Sequence, residues 1–450
     1  MKNSSTLLKS YPEAEESMYR LPRRDFMKRM LAGATAAAAL PYVACGESVP
    51  DAEPLESFTG SLAAGDPGDE RFWQKVKAQF PLRENLIMLN AANLCPSSLP
   101  VQQCLFDYTW DINGDASSVN RRKFSETREN TRTALAEFLG AGPEEIAITR
   151  NTSESNNIVI NGIHYEPGDE IVIWDQNHPT NNVAWDVRAE RFGFKVIKVG
   201  TPDVPRSPED LMKPFTDVIT RRTKVLAFSH VSNVSGVGLP AKELCSYARE
   251  RNILSLVDGA QTFGAHALDL HDMGCDFYTG SSHKWPCGPK EEGVLYVRHD
   301  LIEGMYPSMV GVGWEGAVSS GNAVKFEVLG QQDDPRIAAF GKTFEFHSAI
   351  GIERIEKRVR ALADAVKSEL KRLIPGVTIH TPVEHEMSGG VVIFAPPGID
   401  QRAATGTLYN DYDIGCAVMG GGTPGIRFSP HIYNTMEEIE RAVAAVASLV

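Results

Sequence analysis

Ile253-Leu254-Ser255-Leu256-Val257, followed at once by Asp258-Gly259-Ala260-Gln261, is the stretch whose reading decides the fold. A short apolar run rich in branched residues and closed by glycine has the pattern of a buried strand. At its end the polarity reverses in one step, to a carboxylate. A buried charge is costly unless positive charge meets it, so Asp258 is expected at the carboxyl end of a covered strand, where such sheets bind ligands. Outward from this stretch, the runs 145–149, 170–174, 195–199, 224–229 and 293–297 have the same character and alternate with helical patterns. That alternation predicts an α/β fold with a mostly parallel sheet covered by helices on both faces. After Gly330 the pattern changes to a long helical stretch over 348–373, a strand over 390–394 and a closing helix over 436–449, which predicts a smaller α/β C-terminal domain. The expected layout is a signal segment over 1–45, a Gly-, Pro-, Ser- and acid-rich linker over 46–68, a large domain with its N-terminal segment over 69–330, and the small domain over 331–450.

Residues just beyond each strand carry the candidate chemistry. After 146–149 comes Asn151-Thr152-Ser153-Glu154-Ser155-Asn156-Asn157, which reads equally as an N-cap and as a phosphate site at a helix start. After 171–174 stands His178, a flat ring able to stack on a cofactor or to serve as a hydrogen-bonded loop group. After 225–229 lies Asn233, a donor. The last pair is the most telling: Asp258, and then Lys284 in Ser281-Ser282-His283-Lys284-Trp285, flanked by small and hydroxylated residues that leave room for a ring. An amine is the group that forms a reversible imine with an aldehyde, and burial brings its pKa into a usable range.

The formal net charge of -13 and the scattered acids argue against a nucleic-acid surface and for a small-molecule role. The seven cysteines form no CxxC pair and show no zinc-type Cys/His spacing, so no metal site is expected. At the N-terminus, Arg23-Arg24-Asp25-Phe26-Met27-Lys28 precedes an alanine-rich run, 30–44. This resembles a twin-arginine export signal, read by the twin-arginine machinery and implying a periplasmic or exported protein. The run is about 15 residues, short of the roughly 20 of a membrane-spanning helix. Tyr42-Val43-Ala44-Cys45 loosely resembles a lipoprotein processing site, which would put a lipid anchor on Cys45.

From about Leu89 onward the chain resembles the class V aminotransferase family, of pyridoxal 5'-phosphate (PLP) fold type I, with a large seven-stranded-type sheet domain and a small C-terminal one. The resemblance rests on Asp258 with Gln261 three residues later, the S-x-H-K motif ending in Lys284, the turn Thr152 to Asn157, and His178 before the next helix. It implies PLP as cofactor, with Lys284 as Schiff-base lysine and proton shuttle, Asp258 as partner of the pyridine nitrogen and His178 stacked on the ring. Thr152, Ser153, Ser281 and His283 would hold the phosphate, and Gln261 and Asn233 would lie near the ring hydroxyl. Thr343 matches the position that reaches the phosphate of the neighbouring subunit, which implies a homodimer. Arg427 matches the family arginine that binds a substrate carboxylate, so an amino-acid-like substrate is expected, with Asn93 facing either the pocket or the dimer seam. His283-Lys284-Trp285-Pro286-Cys287-Gly288-Pro289-Lys290 is most similar to the isopenicillin N epimerase-like branch. The expected reaction is transamination or epimerisation at the α-carbon of an amino acid or amino-acid-derived side chain. The alternatives are cysteine desulfuration, with Cys416 the sole cysteine in the appropriate region, and a non-catalytic PLP-fold binding protein.

Overall fold

The computed structural model describes residues 54–63, 65–202, 205–420 and 423–450. The twin-arginine segment and Cys45 lie outside the described residues. At the centre is a seven-stranded sheet in the spatial order Ile146–Thr149, Gly293–Val297, Phe277–Ser281, Leu254–Asp258, Thr223–Ser229, Glu170–Trp174, Lys195–Val199. Gly293–Val297 runs antiparallel to both neighbours, and every other pairing is parallel. Alternate residues of each strand enter different cores. Val172, Trp174, Leu226, Phe228, Val257 and Tyr278 pack on one face, and Ile171, Ile173, Val225, Ala227, Leu256 and Phe277 on the other. Both faces are dry, which is why the strands read as continuous apolar runs.

The strand Phe277–Ser281 was not legible in the sequence, because Phe-Tyr-Thr-Gly-Ser is half small and polar. It is completed from outside: buried Asp276 accepts from Ser255 N at 2.7 Å and Ser255 Oγ at 3.1 Å on the neighbouring strand. Register sets Asp258 beside Ser229 on one side and Thr279 on the other. Asp258 and Ser229, each the last residue of its strand, therefore come level beside the hydroxyl-bearing Thr279 of the third strand.

A second, antiparallel sheet has the order Ala417–Met419, Gly425–Phe428, Val392–Ala395, Thr378–Ile379. It shares a core with the helices Ile352–Leu373 and Met436–Ala447 through Leu362, Val366, Phe394, Phe428 and Val443. Ile87–Met88 pairs in parallel with Ile414–Gly415, and Asn90 bridges to Ser429, so the segment leading to Asn93 is tied to this small sheet.

Two expectations are corrected. The long helical stretch expected over 348–373 is two helices, Asp334–Ile350 and Ile352–Leu373, broken at Gly351, whose φ of 94° a side chain would resist. The linker expected over 46–68 contains a helix, Leu55–Ala63. Its Phe58 and Leu62 are buried, and Phe58 stacks on Phe346 at 5.3 Å. Two apolar residues a turn apart are too short a period to read, so this helix is defined by what it docks on. No described helix is long and apolar enough to cross a membrane.

Candidate active site

Asp258 is 3% exposed, and its carboxylate accepts from three neutral donors: Asn156 Nδ2 at 2.9 Å, Asn181 Nδ2 at 3.3 Å and Ala260 N at 3.1 Å. Gly259 follows it of necessity, since a Cβ there would fall 1.9 Å from Tyr278 Cζ. The carboxylate is thus aimed by groups that carry no charge of their own.

Across the cavity, Lys284 follows the strand Phe277–Ser281 and is half-buried. Burial lowers its pKa; Asp258 acts against that shift and Arg427 adds to it. His283 is pushed down to about 4 by burial, with the lysines 284 and 290 adding to the shift, so it is neutral at physiological pH. His178 caps the helix Pro179–Phe192, its Nδ1 accepting from Thr180 N at 3.3 Å. Burial first, and then the charge of Lys284, keep its pKa below the usual value. It presents a neutral ring with the proton on Nε2.

The helix Thr152–Gly162 aims its first turn at the same space, capped by Asn151, whose side chain accepts from Glu154 N. Ser281 Oγ accepts from Thr152 N at 2.8 Å and lies 2.7 Å from Thr152 Oγ1, locking this helix start to the strand before Lys284. A helix N-terminus ringed by hydroxyls is suited to a phosphate.

Arg427 enters from the small sheet. It is 5% exposed; Nη1 donates to Asn233 O at 3.1 Å and Nη2 to Asn90 Oδ1 at 2.8 Å, while Nε is buried without a partner among the described residues. Burial lowers its pKa to about 10, so it remains a cation at neutral pH.

These groups line one cavity of about 270 Å³, to which Asn93, Thr152, Ser153, His178, Asn233, Asp258, Ser281, His283, Lys284 and Arg427 all contribute. Gln261, expected near the cofactor ring, does not line it. Gln261 spends its amide elsewhere, donating from Nε2 to Ala92 O at 3.0 Å and accepting from Trp285 Nε1 at 2.9 Å, so it braces the cavity wall. Thr343 is 0% exposed inside a helix, and its hydroxyl donates to Ala339 O at 3.0 Å. It faces inward against Gly288, so a reach to a second subunit's phosphate finds no support in its placement. Asn156, Asn181 and Asn90 were missed as individual site residues. For Asn156 and Asn181 the signal was there in part, since asparagines in the first turns of buried helices need partners; Asn90, beyond a short strand, gave none.

Residues 99–442 match the family model described as Aminotransferase class-V. The chain belongs to this family. It is 30% identical over 393 residues to isopenicillin N epimerase of Amycolatopsis lactamdurans, covering 84% of this chain and 98% of that protein. It is 31% identical over 356 residues to the cysteine desulfurase of Salmonella dublin, covering 72% and 83%. Among solved structures, the apo cysteine desulfurase of Thermococcus onnurineus NA1 superposes with a TM-score of 0.74 at 26% identity, covering 83% of this chain and 97% of that one. This class-V aminotransferase relative is an enzyme, and PLP is its cofactor. The cavity fits that group on its own terms. Asp258 is a buried carboxylate whose hydrogen-bond donors are neutral, which suits a pyridinium; Lys284 is an amine with a lowered pKa; the Thr152 helix start suits a phosphate.

Proposed function

We propose that this enzyme moves the α-proton of an amino acid or amino-acid-derived substrate, by epimerisation or transamination. One observation carries the reading: Lys284, Asp258 and Arg427 open on a single cavity, and none of the six described cysteines lines it. Desulfuration needs a thiolate free to attack the substrate's sulfur. Cys416 lies between two short strands, and burial pushes its thiol up to about 12 despite the nearby Arg427.

Bound PLP supplies the electron sink that accepts the pair released at the substrate α-carbon. The chain supplies the rest. Arg427 offers a guanidinium fork to the substrate carboxylate and so orients the α-carbon bonds. Lys284, its pKa lowered by burial, carries the α-proton at Nζ between departure and return. Burial lowers the pKa of both His178 and His283, so Arg427 is the cationic group that the cavity offers to a carboxylate. The similarity to isopenicillin N epimerase supports epimerisation as the reaction. The proposal includes work outside the cytoplasm after twin-arginine export, and assembly as a homodimer.

Incubation with L-amino acids and short peptides in D2O tests the chemistry. Deuterium at the α-carbon with loss of configuration marks an epimerase, and a ketoacid product marks a transaminase. Sulfide from cysteine without α-exchange would overturn the proposal, and Lys284→Ala should abolish exchange.

A further inference from the structure

Outside the cofactor cavity, beside the turn that carries Lys284, three residues far apart in the chain meet. Cys95 and Cys287 are each 1% exposed and His431 is 0% exposed. Their two sulfurs and one ring nitrogen all lie within 4.8 Å of one another. We propose that Cys95, Cys287 and His431 form a structural site for a soft divalent cation of the zinc type.

The state of the imidazole makes the case beyond proximity. His431 Nε2 lies 2.6 Å from Trp285 O, an acceptor only, so Nε2 bears the proton and donates. In the neutral ring this leaves a lone pair on Nδ1, which is buried and has no partner among the described residues. Metal-bound histidines are held in this way, with the second nitrogen donating to a backbone carbonyl and the first presented to the ion. A buried acceptor left unmet is destabilising, and a cation removes that penalty.

Charge and size agree. Two thiolates and a neutral imidazole around a divalent ion sum to zero, which an apolar core containing Phe80, Phe346 and Trp285 tolerates. Zinc–sulfur bonds of about 2.3 Å and zinc–nitrogen bonds of about 2.0 Å place such ligand atoms somewhat closer than the present limit, so the three groups need only draw in around the ion. Tyr433 Oη, 3.4 Å from Cys95 Sγ, is the neighbouring oxygen that could take the fourth corner. On binding, both thiol protons leave to solvent and no electrons move.

The site would brace the catalytic turn. Cys95 N donates to His283 O at 2.8 Å and Cys287 N to Lys284 O at 2.9 Å, so an ion there joins the segment at residue 95, the lysine turn and the C-terminal segment at residue 431.

The test uses the full-length holoenzyme produced in medium supplemented with zinc or with cobalt. The expected result is one equivalent of metal per chain by mass spectrometric elemental analysis after dialysis against a chelator. The cobalt form should show a thiolate-to-metal charge-transfer band. Cys95→Ser, Cys287→Ser and His431→Gln should lose both signals, and Cys245→Ser, a buried thiol elsewhere in the core, should keep them. If the three site variants do not fold, the metal content and cobalt spectrum of the unaltered protein still decide. A metal-free chain with free thiols at residues 95 and 287, or with a disulfide joining them, overturns the proposal. PLP is read separately from its own absorbance, so failure here leaves the α-proton chemistry standing.

Discussion

The side-chain amide of Asn156 joins two neighbouring strands: Nδ2 donates to Asp258 Oδ2 at 2.9 Å while Oδ1 accepts from Thr279 Oγ1 at 2.9 Å. The threonine orients the amide, and the amide orients the carboxylate. Asn156→Leu keeps the volume but removes a donor from a buried anion, a loss of about 1.5–3 kcal/mol. PLP affinity should fall about 10- to 100-fold in equilibrium dialysis. Unchanged affinity would show that the aim of Asp258 does not govern cofactor binding.

Arg427 already gives one hydrogen bond from each Nη, to Asn233 O and Asn90 Oδ1. Lysine preserves the charge and cannot reproduce the fork. Arg427→Lys should raise KM for carboxylate substrates about 10- to 100-fold with a smaller change in kcat, the pattern of lost uniform binding. Steady-state kinetics on a substrate and its amide would check it: the amide should be little affected by the substitution. An unaltered KM would remove Arg427 from substrate recognition.

His230 and His266 face each other at 5.9 Å between ring centroids, and burial depresses both from the ordinary 6.5 to about 3. At His230 the neighbouring His266 and Arg360 add to the lowering and Glu356 acts against it, while at His266 only Arg360 adds to the effect of burial. The unfolded chain binds protons at these positions near pH 6.5 and the folded chain does not, so their contribution is complete above that pH and is lost as pH falls towards 3. Urea midpoints should drop across this window, by a few kcal/mol in free energy for buried His266. In His266→Gln the fall should be shallower. An identical slope in both proteins would mean that His266 titrates normally in the fold.

Phe58 stacks on Phe346 with an interplanar angle of 10°, anchoring the first described helix to the body. Phe58→Ala should destabilise the protein by about 3–5 kcal/mol, the range for emptying a buried phenylalanine site. Chemical denaturation gives the value directly. A change below about 1 kcal/mol would show the helix undocked in solution.

Much of the large sheet was legible because its strands are apolar on both faces, and such runs stand out without any periodicity. Phe277–Ser281 escaped because its stability is supplied by neighbours: Asp276 bonds to Ser255, and Phe277 and Tyr278 enter opposite cores. Gln261 shows the converse at the site. Its spacing from Asp258 was readable, but the bonds to Ala92 and Trp285 that consume its amide were not. Thr343 likewise matched a pattern whose outcome depends on which way its helix faces.

The sequence by itself determined that a carboxylate stands at the mouth of a buried strand, since an apolar run ending in charge has few other stable placements, and that a lysine set among small and hydroxylated residues follows it along the chain. Only the tertiary structure decided that Arg427, from a different sheet, completes the same cavity, and that residues 95, 287 and 431 meet beside it. The reason is physical: local order follows from neighbours in the chain, whereas convergence depends on register, helix facing and packing between elements hundreds of residues apart.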